Sequence, residues 1–237
     1  MRRSVFSCLA LATSILFWSS SAFAGSGELL NFQGLGDLQT VGGFYSGSGL
    51  ASTPNYGITF SSNFFGLQSI YFSRPNGTTG SGNFAPLTIP GTGTVPNTTA
   101  IFMNGTMGSS VTGTMNVTNG FSNGINFFFT AGFQPGQTAL VQIWSGLNGT
   151  GNLLATISLS GNDSGCKAPA YCNWSAVGAA FIGPAHSVTF TGAADELGLA
   201  QITLGSTTTA IPEPSSLFLV GTGLTVLSFK VRRFIGI

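Results

Sequence analysis

Few residues in this chain could do chemistry. It has one histidine, six carboxylates and three cysteines in 237 residues. His186 opens an apolar run and is the one imidazole that could serve as a general base. A Ser/His/acid set is formally open to it, but no Gly-x-Ser-x-Gly elbow occurs. Asp195 and Glu196 are neighbours, so in a strand they would point to opposite faces. A glycosidase needs two carboxylates facing one cleft. Asn162-Asp163-Ser164-Gly165 is rich in oxygen, but calcium takes several carboxylates, and an Asx-turn is the expectation. Cys166 and Cys172 can pair in an oxidising compartment or stay as free thiols. With one histidine they fall short of the four ligands of a structural zinc. No metal, cofactor or catalytic residue is expected. Phe127, Phe128, Phe129, Trp144 and Trp174 either pack a core or stack on sugar rings. Trp144 and Trp174 are the candidates for stacking. Three consecutive phenylalanines use both faces of a strand, so at least one looks away from a one-sided core.

The elements that position these residues read as short strands. Candidate strands are 57–61, 100–103, 111–117, 125–130, 139–144, 153–159, 186–191 and 199–204. Asn104-Gly105, Asn119-Gly120, Asn123-Gly124, Pro135-Gly136 and Asn148-Gly149 punctuate them as turns. Strands at this spacing, with no helical period between them, predict one antiparallel β-sandwich over 25–206. Asn76 to Thr99 has little apolar content and reads as a long surface loop. Residues 207–210 read as a spacer.

Charge is scarce and unevenly placed. Charged residues are 5% of the chain, whereas glycine numbers 35 and apolar residues make up 43%. The apolar fraction supports a packed core. The shortage of cations excludes a nucleic-acid binder, which needs a basic patch. Five of the seven Lys and Arg residues lie close to the two ends. Between Gly25 and Ala210 only Arg74 and Lys167 oppose Glu28, Asp37, Asp163, Asp195 and Glu196, a formal −3. Seven Asn-x-Ser/Thr sequons, at Asn76, Asn97, Asn104, Asn116, Asn148, Asn162 and Asn173, accompany the abundance of Asn, Ser and Thr.

Each end has the grammar of a membrane address. Arg2 and Arg3 precede an apolar stretch from Val5 to Trp18, then Ser19-Ser20-Ser21 and Ala22-Phe23-Ala24. That order predicts a signal peptide over 1–24, with the small residues Ala22 and Ala24 directing signal peptidase to cut after Ala24. Cys8 would leave with it. The remaining pair, Cys166 and Cys172, then reads as a disulfide. At the other end Pro212-Glu213-Pro214 precedes an uncharged run to Phe229, and Lys230, Arg232 and Arg233 close it. Prolines exclude a helix through the motif. Residues 215–229 would form a transmembrane helix of about 22 Å, with the cations held on the cytoplasmic side. Those cations count against a glycolipid-anchor signal.

Triplet, apolar helix and basic end over 211–237 resemble the PEP-CTERM sorting signal of Gram-negative bacteria. The resemblance implies that an exosortase, a membrane transpeptidase of cysteine type, recognises Pro212-Glu213-Pro214 and processes the chain there. It also implies transient anchoring in the inner membrane, then a place at the cell surface or outside it, in company with exopolysaccharide and biofilm. The body is similar to jelly-roll, carbohydrate-binding-like sandwiches through Asn55 to Ser62, Val141 to Gly151 and Ser187 to Ser206. In those a closing strand reads F-D-N-I-T-L. Here Leu199-Ala200-Gln201-Ile202-Thr203-Leu204 lacks the acidic residue, so no metal or sugar role transfers to it. The expectation is therefore an exported, non-enzymatic surface or matrix protein. A carbohydrate-binding module with a defined sugar site is the alternative, and a hydrolase using His186 the third.

Overall fold

The computed structural model describes residues 27–47, 54–73, 77–134 and 136–207. The expected signal peptide with Ala22 and Ala24, the sorting motif Pro212-Glu213-Pro214, the expected helix over 215–229 and the basic residues Lys230, Arg232 and Arg233 lie outside them. So does most of the spacer.

The described chain is mainly β and antiparallel, as the alternation predicts. Eleven strands follow in order: β1 (Glu28–Leu30), β2 (Ile58–Phe60), β3 (Phe64–Gln68), β4 (Thr88–Ile89), β5 (Gly93–Thr94), β6 (Thr99–Met103), β7 (Ser110–Ala131), β8 (Thr138–Trp144), β9 (Leu153–Ser160), β10 (Ser175–Ala193) and β11 (Leu197–Leu204). One hydrogen-bonded path runs β3-β6-β11-β7-β10-β8-β9, with β1 on β11 and β2 on β7. β4 and β5 form a separate small ribbon.

The path folds over on itself. Phe127 pairs with Val177, and Phe190 lies much further along β10, opposite Gly113. In a flat sheet the intervening strand would separate the two rings by roughly 40 Å at about 3.3 Å per residue. Their centroids are 6.1 Å apart. β7 and β10 therefore bend together and run through two facing layers. The first holds β2, the start of β7, the end of β10, β8 and β9. The second holds the start of β10, the end of β7, β11, β6 and β3. The bend coincides with register shifts between Phe181 and Ser187. Gly120 (φ 70°) and Asn123 (φ 75°) take the left-handed backbone it requires. The sequence predicts turns there between two separate strands. A single strand passes through instead, because its partner bends at the same place.

Phenylalanines fill the gap between the layers. Rings of Phe32, Phe60, Phe64, Phe190 and Phe127 follow one another edge to face at 5.4–6.1 Å. Such pairs add about 0.5–1.5 kcal/mol beyond area burial. Gly113 leaves room for Phe64: a Cβ there would stand 2.3 Å from its ring. Phe127 and Phe129 face this core, whereas Phe128 looks out from the second layer. It is nevertheless buried, under Leu87, Ile89 and Val95. In the described part of the expected surface loop, 77–99, the apolar side chains thus turn inward as a cover while most of the polar ones stay exposed. Its few apolar side chains have an apolar outer face to bury.

Candidate functional site

The two outer faces of the sandwich differ. That of the second layer is largely covered, and that of the first is polar and mostly open, with Ser187 and Thr189 buried beneath the 147–149 turn and Trp144. On the open face the register sets Thr59, Asn116, Ser187, Trp144 and Leu153 in one row across five strands. A second row is Thr114, Thr189, Gln142 and Thr156, and a third Thr112, Thr191, Leu140 and Ser158. This follows from strict alternation: Val141, Ile143, Val188 and Phe190 go inward, so their neighbours go outward.

Hydrogen bonds fix these polar groups. Trp144 Nε1 donates to Thr189 Oγ1 at 3.0 Å, so the half-buried indole reaches across to the next strand. Asn116 Nδ2 donates to Asn148 Oδ1 at 2.7 Å, and the Asn148 amide returns a bond to Asn116 Oδ1 at 2.8 Å. Gly149 N donates to Ser187 Oγ, whose hydroxyl donates to Gly146 O. The 3-10 turn Leu147–Gly149 is thereby tied down beside Trp144. Thr112 and Thr191 share a bond of 2.9 Å. Leu153 stays exposed beside Trp144, and Leu140 stays exposed two rows further along β8.

Trp174 lies on the covered face. Its Nε1 donates to Ala85 O at 2.8 Å, its ring meets Phe84 edge to face at 5.7 Å, and it packs against the cluster of Leu87, Ile89 and Phe128. Cys166 and Cys172 are disulfide-bonded, with Cα atoms 5.5 Å apart. The loop they close positions Tyr171, whose N–H donates to Asn83 O and whose carbonyl accepts from Ala85 N. Burial raises the Tyr171 phenol above its ordinary pKa, helped by the negative fields of Glu196, Asp163 and Asp195. Asn162 braces the same region. It accepts from Ala131 N and donates to Phe129 O and Ser175 Oγ.

His186 sits at the bend, where a Cβ on Gly120 would stand 2.9 Å from its Cε1. It is far in the fold from the turn holding Asp195 and Glu196, which joins β10 to β11. That turn replaces the strand geometry considered for the two acids: they border one cavity rather than opposite faces. Desolvation raises the Asp195 pKa, partly offset by a hydrogen bond from Gly105. No sequence signal joins them to Tyr171.

Residues 210–233 match the family model described as the PEP-CTERM protein-sorting motif. The chain thus carries a PEP-CTERM sorting motif on a β-sandwich body. The motif is that of an exported protein processed by an exosortase and held for a time by a C-terminal anchor. No curated protein gives a significant match. Solved structures similar to the body include a family 6 carbohydrate-binding module from Clostridium stercorarium, described in complex with cellobiose (14% identity, TM-score 0.32, covering 61% of this chain and 95% of that one). The K1 cleaved adhesin domain of Lys-gingipain from Porphyromonas gingivalis is similar at 11% identity and TM-score 0.34, over 64% of this chain and 99% of that one. A family 11 carbohydrate-binding module from Clostridium thermocellum is similar at 12% identity and TM-score 0.31, over 68% and 92%.

Proposed function

We propose that this protein is a non-enzymatic component of the cell surface or extracellular matrix of a Gram-negative bacterium, delivered there by exosortase processing at Pro212-Glu213-Pro214 and kept in company with exopolysaccharide. The match over 210–233 carries the proposal. Signal peptidase removes 1–24, the body folds outside, and the helix over 215–229 holds it at the inner membrane until the exosortase acts. A body with few charges and rows of hydroxyls and amides suits a hydrated glycan environment. The test is fractionation of an exosortase-containing host making the intact chain or a Pro212/Glu213/Pro214 triple-alanine form. The variant should stay membrane-bound and longer. Identical size and location would sink the proposal.

The open face favours a second reading, a sugar-binding module. Trp144, paired with exposed Leu153 among fixed hydroxyls and amides, offers an apolar body beside polar partners. Trp174, the other stacking candidate, is half-buried as well but has its ring packed on Phe84 and against Leu87, Ile89 and Phe128. Quenching of Trp fluorescence across a glycan panel, lost in Trp144→Ala, would support this reading. Silence with every glycan would reject it. A hydrolase using His186 fails if His186→Ala leaves every detected activity unchanged.

A further inference from the structure

A cavity of about 190 Å³ lies on the outer face of the second layer, away from Trp144. Pockets for drug-sized ligands begin near ~300 Å³, so this one suits a compact group. Its walls include three aromatic side chains, Phe84, Phe102 and Tyr171. Phe102 comes from β6, whereas Phe84 and Tyr171 come from the cover and the disulfide loop. Gly198 makes space: a Cβ there would stand 3.0 Å from Thr130 Cγ2 and 3.9 Å from Trp174 Cη2.

Two polar groups in this apolar setting have no partner. Glu196 is 9% exposed and Thr130 is 2% exposed. Glu196 Oε2 and Thr130 Oγ1 are buried without a hydrogen bond, and both residues line the cavity. Asp195 lines it as well. Lys167 is the one Lys or Arg among the described residues, and it is exposed. A carboxyl oxygen buried without an internal hydrogen bond is costly unless something outside the chain supplies a partner.

We propose that this cavity binds a small organic ammonium ion, with its alkyl groups against Phe84, Phe102 and Tyr171 and its charge beside Glu196. Aromatic faces attract cations, most strongly where water is excluded, and quaternary ammonium groups are held by cages of this composition. A bare metal ion fits poorly. Among the described residues no group of three His, Cys, Asp or Glu side chains gathers, and aromatic walls supply no hard oxygen ligands. A hexose fits poorly too, since its many hydroxyls would meet mostly apolar atoms. The site is separate from the Trp144 face and uses no residue of the sorting signal, so its test is independent of both.

The test is calorimetric titration of the purified protein with choline, and with its neutral carbon isostere in which tert-butyl replaces trimethylammonium. Choline should bind saturably and at least about tenfold more tightly than the isostere. Glu196→Gln keeps the volume and should weaken choline by about tenfold or more. Gly198→Val fills the cavity and should abolish binding. Glu196→Gln still reads the charge if Gly198→Val fails to fold. Absence of saturable choline binding, equal affinity for the isostere, undiminished binding by Glu196→Gln, or displacement of choline by glucose at similar concentration would each overturn the proposal.

Discussion

Removing the disulfide tests how the covered face is built. Cys166 and Cys172 are six residues apart. For so short a loop the chain-entropy relation gives about 2.3 kcal/mol of stabilisation at 25 °C. A body of this size shifts its melting midpoint by about 2–4 °C per kcal/mol, so Cys166→Ser/Cys172→Ser should melt roughly 5–9 °C lower. The loss should also be local. Tyr171 bonds to Asn83 and Ala85, and Trp174 bonds to Ala85, so the cover over Phe128 is fastened partly through this loop. Scanning calorimetry gives the midpoint. Amide exchange gives the location: the Ala85 and Tyr171 amides should exchange faster in the variant, while those of the β8–β9 ladder keep their pattern. Reducing the native protein should reproduce both effects. An unchanged midpoint with unchanged exchange at Ala85 would refute the claim that the disulfide secures the cover.

Thr130→Val replaces a buried hydroxyl that has no partner. It should raise stability by about 1 kcal/mol, read as a higher urea midpoint, since an unsatisfied buried group costs about 1–3 kcal/mol; a loss would show that the hydroxyl is satisfied. Gly113→Ala drives a methyl to 2.3 Å from the Phe64 ring and should cost about 1–3 kcal/mol in the same assay. Burial raises the Tyr45 phenol above its ordinary 10.0. The folded state holds that proton after the unfolded chain has lost it, so stability is unaffected below pH 10 and falls as pH rises beyond it, by up to about 1.4 kcal/mol per pH unit for this group. Tyr45→Phe should flatten that alkaline slope, while losing the bond from Phe32 N to the Tyr45 oxygen at 2.7 Å; an identical slope would assign it elsewhere.

Much of the sandwich is legible in the sequence, and the exceptions have physical causes. β8, β9 and β11 show clean alternation or a dense apolar run, and they occur where that pattern places them. The first half of β10, from Ser175 to Ala185, is mostly Ala and Gly with Pro184, and carries no strand signal of its own. It is held by pairing with 121–129, a partner distant in sequence. Asn119-Gly120 and Asn123-Gly124 mark where the backbone must turn left-handed. A local pattern does not distinguish a hairpin from a strand crossing between layers. Phe84, Leu87 and Ile89, with half-buried Val95, are too sparse to form a period, yet they pack inward because Phe128 faces outward and needs cover. The disulfide follows from the spacing and number of cysteines. The cavity does not, since its residues come from six separate stretches and Gly198 contributes only missing volume. The sorting tail is the most legible feature, because a peptide signal is read locally by its enzyme.

Intact mass of the mature protein is the most direct test of the central claim, export followed by exosortase processing. The mass should correspond to a chain beginning at Gly25, oxidised at Cys166 and Cys172, and lacking the apolar and basic residues 215–237. A mature species that keeps residues 1–24, or that keeps 215–237 in a host with an active exosortase, would contradict it.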